Sequence, residues 1–184
     1  EYFSISSSAP EISNNLSFHK AMRFFFPYLM GVISKISNLE IYIIYQISSF
    51  VLIMHSIYLL NSKFHKSNFK KNFLLISVIV FNPYFARYYI SFPLMINDLI
   101  FIYGTVYLIL FIKSKNIINL IISLLIICFA RQESIFLVFS VLICRLIFKK
   151  NSIFNNKKIV LIILLTITVF SINYFYANNS TPLV

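Results

Sequence analysis

Residues 39–60 read LEIYIIYQISSFVLIMHSIYLL. The only carboxylate or Lys/Arg side chain in this run is Glu40, near its start. At 1.5 Å per residue such a run makes a helix roughly 33 Å long, enough to cross the ~30 Å hydrocarbon core of a bilayer. Two further stretches repeat the pattern, PLMINDLIFIYGTVYLILFI (93–112) and IVLIILLTITVFSINYFY (159–176). The second ends in aromatic residues that suit a membrane–water interface. Residues 116–148 form two apolar pieces split by RQES (131–134), and a shorter run, FLLISVIVF, covers 73–81.

Composition agrees. The 184 residues are 59% hydrophobic and 11% charged, with a mean hydropathy of +0.84. A soluble domain carries about 25% charged residues, so an ordinary globule and a disordered tail are excluded. Cys128 and Cys144 both lie in apolar runs, with no spacing that suits a disulfide scaffold or structural zinc. The net charge of +11 would suggest nucleic acid in a soluble domain. Here the cations flank apolar runs, so the expected partner is membrane lipid and not nucleic acid.

The expected fold is all-α: a polytopic transmembrane bundle of five to six membrane helices plus an outer-face amphipathic helix. Residues 1–17 read as a polar outer-side segment, 18–177 as one membrane-embedded domain and 178–184 as a polar tail. The segment FHKAMRFFFPYLMGVISKIS (18–37) carries Pro27 and Gly31 and reads as the amphipathic or half-inserted helix, with a true span as the alternative. No basic n-region opens the chain, and the reading expects a fragment of a longer membrane protein.

Charge sets the orientation. Loops 61–72, 113–115 and 149–158 hold ten of the twelve lysines. By the positive-inside rule all three face the cytoplasm, in an integral, multi-pass protein of the cell or inner membrane. The chain then has outer turns near 82–93 and at Arg131–Ser134. The arms beside RQES are short for a span, and the competing reading is one continuous 33-residue helix across 116–148.

Arginine is used differently from lysine. Arg23, Arg87 and Arg131 map to the outer face, as do Asp98 and Glu133. Arginine's planar fork binds phosphate through two hydrogen bonds and stays charged when partly desolvated. Ionisable groups at membrane depth are costly and point to function. A lipid-phosphate site built from Arg87, Arg131, Arg23 and His19, with Asp98 and Glu133 in support, is the expectation. The bland reading makes each an interfacial anchor, an isolated ion pair or a solvated tip. Gln46, Asn97 and His55 read as hydrogen-bonding groups between helices. With only Gly31 and Gly104 in the chain, glycine-rich phosphate cradles are excluded.

Three strings, HKAMRFFFPYLMGVIS (19–34), NPYFARYYISFPLMINDLIFIYG (82–104) and CFARQESIF (128–136), together resemble multispanning membrane glycosyltransferases of the GT-C type. The matching residues are Arg23 with Pro27, Pro93 with Asp98, and Arg131 with Glu133. The resemblance spans 19–148. It implies sugar transfer from a polyprenyl-phosphate sugar donor on the non-cytoplasmic face. Such enzymes place the catalytic carboxylate in the first outer loop, where this chain offers only Glu1 and Glu11, and Glu11 is the imperfect candidate. No cofactor or metal ligand set is identified, although a divalent metal would fit the chemistry. The rivals are a transporter or flippase subunit, with Asp98, Gln46 and His55 along a polar path, and a non-catalytic structural membrane subunit.

Overall fold

A computed structural model describes residues 2–14, 16–64, 95–132, 134–136, 140, 143 and 156–181. Among them all regular structure is helical: α1 (Tyr2–Ser8), α2 (Phe18–Ala21), α3 (Phe25–Ser37), α4 (Ile41–Phe64), α5 (Ile96–Ser114), α6 (Ile117–Ala130) and α7 (Asn156–Ser180). Two of them are long and apolar enough to cross a membrane, over Ile41–Asn61 and Lys158–Ser180. Only 28% and 22% of their apolar windows are buried, unlike the core helix of a soluble protein. The outward side of α4 carries Ile43, Ile47, Phe50, Met54 and Tyr58; that of α7 carries Val160, Leu164, Ile167, Phe170 and Tyr174. Neighbours in each set lie three or four residues apart, so each forms a continuous apolar stripe.

α5 and α6 form the tightest pair, an antiparallel hairpin. Its turn is Lys115, in the left-handed region at φ 57°, followed by Asn116, whose side chain accepts from the Ile118 N–H at 3.0 Å and caps α6. Gly104 lets the two helices meet: a Cβ there would lie 2.6 Å from Ile127 Cγ1. α7 packs on α6 through Ile162, Val169 and Asn173. Asn173 Nδ2 donates to the Cys128 carbonyl at 3.3 Å, and Cys128 is itself buried.

Two ends can be told apart. Arg131 follows α6 and meets Asp98 at the start of α5, so both lie at one end, here the arginine end. The start of α4 joins them, since Ile44 and Tyr45 pack with Ile96, Ile100 and Ala130. Lys115 marks the opposite end. Lys158, at the start of α7, joins it by lying 5.0 Å above the Phe111 ring. α4 therefore runs from the arginine end to the lysine end in parallel with α5, and α7 runs back.

α3 lies across the arginine end. Its first turn stacks on α6 (Phe25 on Phe129, 4.0 Å), its middle meets Ile44 and Tyr45 through Met30, and three residues link it to α4. Pro27, Met30, Gly31 and Ser34 are its buried side, the 3–4 spacing of an amphipathic helix. At thirteen residues it is about 20 Å long, too short to span. The amphipathic reading of 18–37 thus holds for α3, with the short α2 split off before it.

Several boundaries differ from expectation. The continuous helix across 116–148 does not form: α6 stops at Ala130 and Arg131 is extended (φ −146°, ψ 134°). Residues 1–17 are polar in sequence, yet α1 is seated in the bundle. Its Ile5 packs with Met22, Phe24 and Tyr176, and the Ser6 hydroxyl donates to the Pro27 carbonyl at 2.7 Å, while the Tyr45 hydroxyl donates to Ser6 Oγ at 2.7 Å. The polar tail begins later than read, because α7 continues through Asn178 and Asn179 to Ser180. Helix also reaches Phe64 and restarts at Asn156, inside the expected loops. The run 73–81, the outer turn 82–93 and Cys144 lie outside the described residues.

Candidate functional site

The arginine end carries a closed circuit of polar side chains. Arg131 Nε and Nη2 both donate to Asp98 Oδ1, at 2.8 and 2.6 Å. The guanidinium carbon lies 5.8 Å from the centre of the Phe101 ring, one turn below Asp98. Next in the chain, the Gln132 amide meets His19 Nδ1. On the other ring nitrogen, Arg23 Nη2 donates to His19 Nε2 at 3.0 Å. Asn97 Nδ2 donates to the Arg23 carbonyl at 3.1 Å and, as the neighbour of Asp98, closes the loop.

Local structure explains why these groups converge. Asp98 occupies the first turn of α5, where unpaired amide N–H groups favour an anion. Arg131 is the C-cap of α6, where unpaired carbonyls favour a cation. The α5–α6 hairpin places these two termini side by side. Breaking the helix at Arg131 frees Gln132 to reach across to His19. Arginine only donates, so His19 Nε2 is the acceptor and Nδ1 carries the proton. The Gln132 amide then presents its oxygen to Nδ1, an assignment equivalent to a 180° amide flip.

The pair is reachable. Side-chain exposures are 34% for Arg131 and 29% for Asp98, whereas Asn97 beside them is buried. Beneath α3 an apolar cleft of about 330 Å³ is lined by Phe26, Met30, Ile47, Val51, Ile100 and Tyr103. Ile47 and Val51 belong to the outward side of α4, so the cleft opens sideways and not toward the bundle end. Ile100 lies two residues past Asp98, and Phe26 three past Arg23.

The chain matches no protein-family model, no curated protein and no solved structure.

Of the residues expected to hold lipid phosphate, the structure brings Arg131, Arg23 and His19 together, with Asp98 in support. Glu11 stands apart from this circuit. Its N–H donates to the Ser8 carbonyl at 3.0 Å in the turn after α1, and its side chain is exposed. Arg87 and Glu133 lie outside the described residues. Sequence reasoning missed Gln132 as a circuit member and Phe101 as the ring beneath Arg131. Its signal for Gln132 was only adjacency to Arg131. Among the described residues no three His, Cys, Asp or Glu side chains gather as a metal site.

His55, read as a hydrogen-bonding group between helices, is that: its Nδ1 lies 2.7 Å from the Tyr103 hydroxyl of α5, which lies 3.4 Å from that of Tyr107. It is engaged partway along α4, while Asp98 is engaged at the arginine end. The polar path of the transporter reading would have to join these two separately paired groups.

Proposed function

We propose that this chain is part of a polytopic membrane protein whose arginine end faces away from the cytoplasm and holds the phosphate or pyrophosphate of a lipid-linked sugar. In this reading it is a GT-C-like glycosyltransferase, or the lipid-binding part of one. One observation carries the proposal. His19, Arg23, Asp98 and Arg131, drawn from three separate stretches of chain, meet at one end of the bundle, and Lys115 and Lys158 lie at the other.

The chemistry supports a headgroup site. Arg131 supplies planar donors suited to phosphate oxygens and the Phe101 face keeps it in place, while Arg23 is buried and holds His19 beside it. The sideways cleft suits the first part of a lipid chain entering from the bilayer. Direction of travel supports a multi-pass count. α4 ends and α5 starts at opposite ends of the bundle, as do α6 and α7, so the chain changes ends twice more between them. Two of the described helices are long and apolar enough to cross a membrane, and the five-to-six-span count belongs to this proposal. Asp98 pairs with Arg131 in this arrangement.

The test is binding of radiolabelled polyprenyl phosphate to the protein reconstituted in vesicles. Arg131→Ala is expected to weaken binding about tenfold, matching the loss of one charge-assisted contact of ~1.5 kcal/mol. Lys115→Ala, at the opposite end, is expected to bind as the unaltered protein does. Equal binding by the Arg131→Ala protein would overturn the reading. Loss of labelled hexose from a panel of polyprenyl-phosphate hexoses, abolished by Arg131→Ala, separates an enzyme from a carrier or a structural subunit.

A further inference from the structure

The Asp98–Arg131 pair leaves part of each partner unused. Arg131 Nε and Nη2 converge on one carboxylate oxygen, Oδ1, at 2.8 and 2.6 Å. A guanidinium that only clasps a carboxylate commonly meets both of its oxygens, fork to fork. Among the described residues no hydrogen bond engages Asp98 Oδ2 or Arg131 Nη1. Both side chains are about one-third exposed and neither atom is fully buried, so a ligand can reach them. Their setting is fixed. The Phe101 ring lies 5.8 Å from the guanidinium carbon, and buried Asn97 pins the start of α5 by donating to the Arg23 carbonyl at 3.1 Å. A free acceptor and a free donor edge therefore stand side by side at the arginine end.

From this we infer that the pair reads two parts of one ligand: the open edge of Arg131 binds a singly charged phosphodiester, and Asp98 Oδ2 accepts from a hydroxyl of the sugar joined to it. Asp98 is then the residue that recognises the sugar. The inference rests on the headgroup reading above and names what Asp98 adds to it.

The donor count permits both contacts at once. Arginine carries five N–H groups. Two are spent on Asp98, and the three that remain, both on Nη1 and the second on Nη2, face away from it. A phosphodiester takes these without breaking the ion pair. An ionised carboxylate accepts and never donates. Its suitable neighbour is an uncharged donor, and a hydroxyl fits where a second anion does not. In a hexose linked to phosphate through its anomeric carbon, the first hydroxyl sits on the adjoining ring carbon. A ligand seated on the Arg131 edge thus carries donors toward the neighbouring carboxylate. A lipid phosphodiester without hydroxyls offers Arg131 the same charge and Asp98 nothing. Rejection of such an analogue is strong where a site is built for a hydroxyl, because the site's own polar group is left unpaired.

The experiment uses the whole chain in detergent and measures binding of short-chain phosphodiesters of equal charge by titration calorimetry. Farnesyl phosphates of glucose, mannose and galactose are the sugar probes, and farnesyl methyl phosphate is the probe without hydroxyls. At least one hexose ester is expected to bind about tenfold more tightly than the methyl ester, the worth of one hydrogen bond to a charged group. Asp98→Ala is expected to bind that hexose ester no better than it binds the methyl ester. Asp98→Asn, closer in shape, serves where the alanine variant does not fold, and is expected to cut the preference about threefold. Equal affinity of the unaltered protein for the methyl ester and all three hexose esters would overturn the inference without any variant. So would an undiminished preference in the variants, since a residue that only positions Arg131 would weaken both kinds of ester by the same factor. Failure of the headgroup reading looks different: Arg131→Ala would bind the methyl ester as the unaltered protein does.

Discussion

Asp98 and Arg131 stand 33 residues apart in the chain, and Arg131 Nη2 lies 2.6 Å from Asp98 Oδ1. One is at the start of α5, the other just past the end of α6. The pair fastens the open end of a hairpin whose closed end is the Lys115–Asn116 turn.

Removing one partner is therefore expected to cost more than removing both. Arg131→Ala should lower unfolding stability by about 1–2 kcal/mol, between the small value of an exposed pair and the several kcal/mol of a fully buried one. The Asp98→Ala/Arg131→Ala double variant should recover part of that loss. A double-mutant cycle on denaturant midpoints in detergent measures the coupling, and additive losses would mean the two side chains do not interact.

Gly31 and Gly104 should respond unequally to alanine. A Cβ on Gly31 would lie 2.0 Å from the Ser6 carbonyl oxygen, which is backbone and cannot turn aside. A Cβ on Gly104 would meet Ile127 and Ile126 side-chain carbons at 2.6 and 2.9 Å, and these can shift. Gly31→Ala is expected to cost roughly 3 kcal/mol, the upper range for overpacking, and Gly104→Ala roughly 1 kcal/mol. Limited proteolysis should find α1 exposed in the first variant only.

Lys115 and Gln132 should lie on opposite faces of a membrane. In a background with Cys128 and Cys144 replaced by serine or alanine, Lys115→Cys and Gln132→Cys are expected to react with an impermeant maleimide from opposite sides of oriented vesicles. Labelling of both from one side would refute the two-ended arrangement of charge.

Tyr45→Phe removes one hydroxyl from a buried site. Its partner, Ser6 Oγ, keeps the Pro27 carbonyl, so the expected loss is about 1 kcal/mol. Ser6→Ala leaves the buried Tyr45 hydroxyl without its acceptor and should cost more, about 2 kcal/mol. Thermal unfolding of the two variants side by side gives the order.

Much of this was legible in the residues. The apolar runs at 39–60, 93–112 and 159–176 gave α4, α5 and α7 because a long apolar run has few other ways to satisfy its backbone. The break at RQES was legible from polarity, and the opposite placement of arginine and lysine from the spacing of charge. The pairing of Asp98 with Arg131 was not. The arginine nearest Asp98 in sequence is Arg87, and sequence alone does not say which termini a hairpin sets side by side. α1 was hidden for a related reason. SISSS reads as part of a polar segment, and only the close approach permitted by Gly31 turns the Ser6 hydroxyl inward.

That close approach bears on how the molecule is made. Residues 2–8 leave the ribosome before the surfaces that receive them, since Ser6 docks on Pro27 and Tyr45. During synthesis the first helix has to wait, unseated, until α3 has been laid down and the opening turns of α4 have emerged. Its seat is completed later still, when Tyr176 of α7 arrives to pack with Ile5 and closes this end of the bundle.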